Sequence, residues 1–212
     1  MKTTIGAGIS KAFLAVVIGI AGVSAAGAQS LASLPRTTAA VQVTGEANPI
    51  AAWTDFCRAH RVECAIDPSE SATITLTPRI WQTIVQTNRR INEELTAATD
   101  MESAGVPDRW SFPRADGLAD CEDYQLLKRR TLAQAGLPRR AMRMTVVIDE
   151  EGQGHAVLMI RTDRGDFILD NKRDAVLPWH DTGYVYIKRE GQTSLAWVSL
   201  GGATSPTATA NR

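Results

Sequence analysis

The chain has 212 residues, with 23 basic and 23 acidic side chains and no formal net charge. That length suffices for one domain with a real hydrophobic core. The balanced charge gives no electrostatic ground for a nucleic-acid partner or an anionic membrane surface.

Lys2 and Lys11 flank a short start, an apolar run covers residues 12–23, and Ala26-Gly27-Ala28 offers an A-x-A cleavage site. This order describes a secretory signal peptide over residues 1–28. The apolar run falls short of the roughly 20 residues that a spanning helix needs. Export to the periplasm or the medium follows, with the signal peptide as the only membrane contact. Residues 29–47 are rich in Ala, Ser, Thr and Gln without periodicity and read as a flexible leader. The domain proper is expected over residues 48–200, and residues 201–212 as a disordered tail.

Asn48-Pro49 supplies a cap and a first-turn proline for a helix through Trp53, Phe56 and Cys57. Within it begins "CRAHRVEC", where Cys57 and Cys64 form the one local cysteine pair. Spacing allows zinc at Cys57, His60 and Cys64, but export favours a Cys57–Cys64 disulfide. Cys121 then stands outside the pair, and an odd cysteine in an exported chain signals an intermolecular link or a reactive thiol. Thr77-Pro78 opens the longest helical pattern, with Ile80, Trp81, Ile84, Val85, Ile91 and Leu95 at steps of mostly three and four. Residues 100–119 carry Gly105, Pro107, Pro113 and Gly117 and read as a long loop.

A third helix starts at "ADCEDYQLLKRR", with Asp120 as cap and Asp123 in a capping-box-like position, and ends at Gly136 and Pro138. Short runs rich in Val, Ile, Leu and Met follow: "MRMTVVID", "HAVLMIRT", "DFILDN", "GYVYIKR" and "LAWVSL". Helices first and an antiparallel meander afterwards make an α+β domain.

A cysteine nucleophile needs a base and a group to orient that base. His155 opens one strand and Asp170 closes the next, on either side of a turn at Asp163-Arg164. In one register of that hairpin the two face each other, and in the other they are diagonal. Both registers put them on one face, because matching parity fixes the side. Asn171 would point the opposite way. The spacing therefore favours a Cys121–His155–Asp170 triad, with Cys121 at a helix N-terminus that stabilises a thiolate. His180, beside Asp181 in "PWHDTGY", is the alternative base. The carboxylates of Asp120, Glu122 and Asp123 oppose ionisation of the thiol they surround.

The blocks "DCEDYQLLKRRTLAQAGLP", "MTVVIDEEGQGHAVLMIRT" and "GDFILDNKRDAV", with "WTDFCRAHRVEC" and "INEEL", resemble the bacterial transglutaminase-like cysteine proteinase family over residues 50–200. The resemblance implies a papain-like, transglutaminase-like core with Cys121 as nucleophile, His155 as base and Asp170 as orienter. It also implies calcium held by Asp120 and Glu122, with Asp123 as a further contributor. For partners it implies an exported protein substrate such as a large biofilm adhesin, and a membrane receptor that regulates access. Three functions are compatible with these residues: a periplasmic cysteine endopeptidase, a transglutaminase or amide acyltransferase with the same triad, and a non-catalytic calcium-binding module.

Overall fold

The computed structural model describes Met1 and residues 33–201. The expected signal peptide, and the expected tail beyond Gly201, lie outside the described residues. Strand β1 (Gly45–Ala47) precedes helix α1 (Ala51–Ala59) and the single turn α2 (Arg61–Cys64). A Cys57–Cys64 disulfide closes the corner between those helices. Both sulfurs are used in it, so zinc binding at Cys57 and Cys64 is not available.

Helix α3 (Pro78–Glu94) begins where Thr77 accepts a hydrogen bond from the Ile80 amide at 3.2 Å. Its residues Trp81, Ile84, Val85 and Ile91 are buried, as their spacing requires. Strand β2 (Thr96–Ala97) pairs in parallel with β3 (Leu118–Ala119), drawing the end of α3 towards the start of α5 (Cys121–Gln134). Between them, the segment read as loop contains α4 (Asp100–Ala104). Thr99 and Glu102 form a reciprocal capping box, and Gly105 ends the turn in a left-handed conformation, φ 70°.

The main sheet contains β1, β4 (Met142–Ile148), β5 (Gly154–Thr162), β6 (Gly165–Leu169), β7 (Leu177–Pro178), β8 (Val185–Glu190) and β9 (Trp197–Ser199). Its order is β1-β9-β8-β4-β5-β6-β7, antiparallel throughout. It is not the simple meander expected. After β7 the chain crosses back, and β8 pairs with β4 across a register shift between Val146 and Val147.

Each strand alternates its side chains between two faces. Met144, Val146, Leu158, Ile160 and Leu169 pack with Trp53, Trp81, Ile84 and Leu126 of the helices. Val147, Val157, Met159 and Ile168 form the opposite cluster with Tyr184, Tyr186 and Val41. Part of the segment read as a flexible leader is thus held against this second face. The Thr38 amide donates to the Arg164 carbonyl at 2.8 Å and the Val41 amide to Asp166 at 2.9 Å. At Gly165, a Cβ would lie 2.5 Å from Thr38 Cγ2 and 2.6 Å from its carbonyl oxygen, so this crossing needs a glycine. No helix among the described residues is long and apolar enough to cross a membrane.

Candidate active site

The hairpin β5–β6 adopts the register that pairs Thr162 with Gly165 and Leu158 with Leu169. His155 and Asp170 are therefore diagonal neighbours on one face, and His155 Nε2 lies 2.9 Å from Asp170 Oδ1. Pairing with β6 stops at Leu158, which leaves the next stretch of β5 backbone open on that side. The start of α5 fills the opening: the Ala156 amide donates to Cys121 Sγ at 3.3 Å. One strand end thus gathers a thiol, an imidazole and a carboxylate from three separate elements. Cys121 and His155 are 0% exposed and Asp170 is 2% exposed.

Asp170 is held from several sides. Tyr184 Oη donates to Oδ2 at 2.6 Å and the Lys172 amide to Oδ1 at 3.0 Å. Burial works to raise its pKa, but hydrogen bonds from His155, Tyr184 and Lys172 outweigh it and hold the carboxyl below its usual range. The Tyr184 ring stands edge-on to His155, centroids 5.8 Å apart. With Nε2 engaged by Asp170, His155 Nδ1 is buried with no hydrogen bond of its own. Tyr184, on the approach to β8, was not singled out in the sequence, where nothing in its spacing connects it to β6. The alternative base His180 is exposed, with Nδ1 on Asp181 at 2.8 Å and Nε2 on Thr38. His60 packs against the Phe56 ring and stands edge-on to Phe112.

The acids around Cys121 divide into two sets. Ligand oxygens of Asp100, Asp120 and Glu122 lie within 4.8 Å of one another, and all three residues are buried. Asp123 turns away and accepts from the Ser111 amide at 2.9 Å and its hydroxyl at 3.2 Å. Asp120 occupies the cap position of α5 but makes no side-chain cap bond, and neither carboxylate oxygen takes a hydrogen bond of good geometry. The expected capping box is thus absent. Asp100 arrives from the first turn of α4, inside the segment read as loop, and no motif spacing pointed to it.

Burial is the largest cause that pushes these acids upward. Asp120 rises to about 9, with the charges of Asp123 and Asp100 adding to burial. Glu122 is raised well above its usual value by burial and by Asp120 and Asp108. Asp123 rises to about 7 through burial, which the Ser111 hydrogen bonds partly offset. These three buried carboxylates, with both Asp120 oxygens accepting no hydrogen bond of good geometry, form an all-oxygen donor set of the kind that suits a hard divalent cation such as calcium. The thiol also meets this set, since Cys121 Sγ donates to Glu122 Oε2 at 3.1 Å.

A model of the bacterial transglutaminase-like cysteine proteinase family matches residues 43–205. Among solved structures, Legionella pneumophila LapG aligns at 23% identity and TM-score 0.48, over 56% of this chain and 68% of that one. Its calcium-bound form aligns at 18% identity and TM-score 0.45, over 71% and 91% of the two chains. An EGTA-treated form gives 20% identity and TM-score 0.48, over 60% and 71%. A search of curated proteins found no match.

Proposed function

The chain belongs to the bacterial transglutaminase-like cysteine proteinase family, and we propose that it is an exported endopeptidase using Cys121 as nucleophile, His155 as base and Asp170 as orienter. The observation that carries this reading is the 2.9 Å contact between His155 Nε2 and Asp170 Oδ1, beside a buried thiol on the first residue of a helix. An Nε2–H donated to Asp170 leaves Nδ1 as the nitrogen able to take a proton.

In acylation, His155 Nδ1 removes the Cys121 proton and the sulfur attacks the carbonyl carbon of a peptide bond. Negative charge on the carbonyl oxygen is met by backbone N–H groups at the start of α5, whose dipole also favours the thiolate. The C–N bond breaks, the amine leaves with the proton from His155, and a thioester remains on Cys121. His155 then deprotonates a water that attacks the thioester, releasing a carboxylic acid and restoring the thiol. Asp170, fixed by Tyr184, keeps the ring oriented and stabilises the imidazolium between these steps. Because Cys121 and His155 are fully buried, a substrate carbonyl reaches Sγ only when neighbouring residues move.

Asp100, Asp120 and Glu122 would hold calcium beside the nucleophile. Bound there, the ion supplies the positive charge that offsets the repulsion these acids exert on a thiolate. Asp123 contributes by securing the loop at Ser111. The sequence resemblance supports a periplasmic or secreted location, a large surface adhesin as substrate and a membrane receptor that controls access. Comparing secreted and surface proteins from cells carrying wild type and Cys121→Ala tests the substrate class. A large protein shortened only by the wild type names the substrate, and identical patterns remove this reading. Stable incorporation of a labelled amine into a glutamine-rich protein would instead make the enzyme an acyltransferase.

A further inference from the structure

Asp170 lies one residue beyond the last β5–β6 pair, so the sheet does not hold its backbone. Helix α3 does. The Asp170 amide donates to Asn88 Oδ1 at 3.2 Å, and Asn92 Nδ2 donates to the Asp170 carbonyl at 3.0 Å. Asn88 Nδ2 also donates to the carbonyls of Arg173 and Asp174 at 2.9 and 3.0 Å. Asn92 Nδ2 further reaches the Arg173 carbonyl at 3.2 Å and Asp174 Oδ1 at 3.1 Å. The two asparagines sit four residues apart, on one face of the helix. Every one of these bonds ends on the five-residue segment that begins with Asp170.

The same segment also meets α5, the helix that starts with Cys121. Gln125 Nε2 donates to Asn171 Oδ1 at 3.3 Å. Lys128 is fully buried one turn further on, and Asp170 and Asp174 are the carboxylates that act on its ammonium. Asn88 is itself 0% exposed in mid-helix, where asparagine is a poor helix former and a buried amide is tolerated only when bonded. A segment that needed only covering could be covered by apolar side chains. Here the amides both accept from and donate to one particular backbone.

We propose that Asn88 and Asn92 are positioning residues, which set Asp170 against His155 by fixing the backbone where the sheet has let go of it. The inference rests on the triad reading above. It makes α3, which carries no reacting group, the part that determines where the orienting carboxylate stands.

The test uses the full chain with calcium, labelled with ¹⁵N-histidine, since only three histidines occur. The expected result in wild type is a low-field Nε2 proton for His155, assigned by its loss in Asp170→Ala. In Asn88→Ala and Asn92→Asp this proton moves upfield, and alkylation of Cys121 by iodoacetamide slows about tenfold or more, as misplacement of a catalytic group predicts. Asn92 is only half-buried, so Asn92→Asp decides the matter if Asn88→Ala does not fold. A lowered Tm with the proton signal and alkylation rate unchanged well below that Tm would overturn the positioning role while leaving the triad intact. Wild-type alkylation in His155→Ala would instead remove the triad reading, and the proton signal alone then decides whether the asparagines set the His155–Asp170 pair.

Discussion

Asp170 illustrates how a single side chain takes its role from its donors. Its carboxylate accepts from His155, Tyr184 and Lys172, and removing one donor should loosen the imidazole without unfolding the protein. Tyr184→Phe deletes only a hydroxyl, and we expect peptidase activity to fall about tenfold, in line with one hydrogen bond to a charged group. Unchanged kcat/KM would show that Asp170 needs no second anchor. Asp100 makes the parallel case for the cation. Asp100→Asn should weaken calcium binding by about tenfold or more in calorimetry, and an affinity equal to wild type would remove Asp100 from the site. Sequence made His155 and Asp170 legible because side-chain parity in a hairpin survives either register. It did not make Asp100 or Tyr184 legible, since each reaches the site from an element with no fixed spacing to Cys121.

At the scale of elements, Glu190 joins four of them. On β8, it accepts from Trp53 Nε1 of α1 at 2.7 Å, Arg129 Nη1 of α5 at 2.6 Å and the Met144 amide of β4 at 2.9 Å. Burial acts to raise its pKa, but Arg129, Arg143 and the hydrogen bonds prevail and hold it below its usual 4.5. A carboxyl whose folded pKa is depressed contributes stability above the unfolded value and loses it as pH falls through the folded one. Glu190→Ala should therefore destabilise at neutral pH, by about 3 kcal/mol or more because buried arginines lose their partner. Chemical denaturation should show the gap to wild type shrinking as pH falls below 4.5. A gap that stays constant with pH would contradict the ionised role. Helix starts such as Thr77-Pro78 were readable because caps are local. The place of β8 beside β4 was not, because alternation tells which face a residue takes and not which strand it joins. The contact of Val41 with the sheet was not readable for a related reason: one buried valine in a polar run has no period to detect.

Across the whole molecule, calcium held by the acids near Cys121 would couple stability, metal binding and pH. Without the cation, groups such as Asp120, raised from 3.8 to about 9, favour the folded state at low pH and lose that contribution as pH rises through the folded value. Calcium held there would favour the ionised form and should cancel the loss. The rise in Tm on adding calcium should therefore be larger at about pH 8 than at about pH 5. An equal shift at both would separate the ion from these carboxylates. Activation of Cys121 by His155 can be read from a single rate. Cys121 is the one cysteine outside the disulfide, and an ordinary thiol with a pKa of about 8.5 is only about 1% thiolate at about pH 6.5. The second-order rate of iodoacetamide with the calcium-loaded protein at that pH should be at least about tenfold faster in wild type than in His155→Ala. Equal rates in the two proteins would contradict the account.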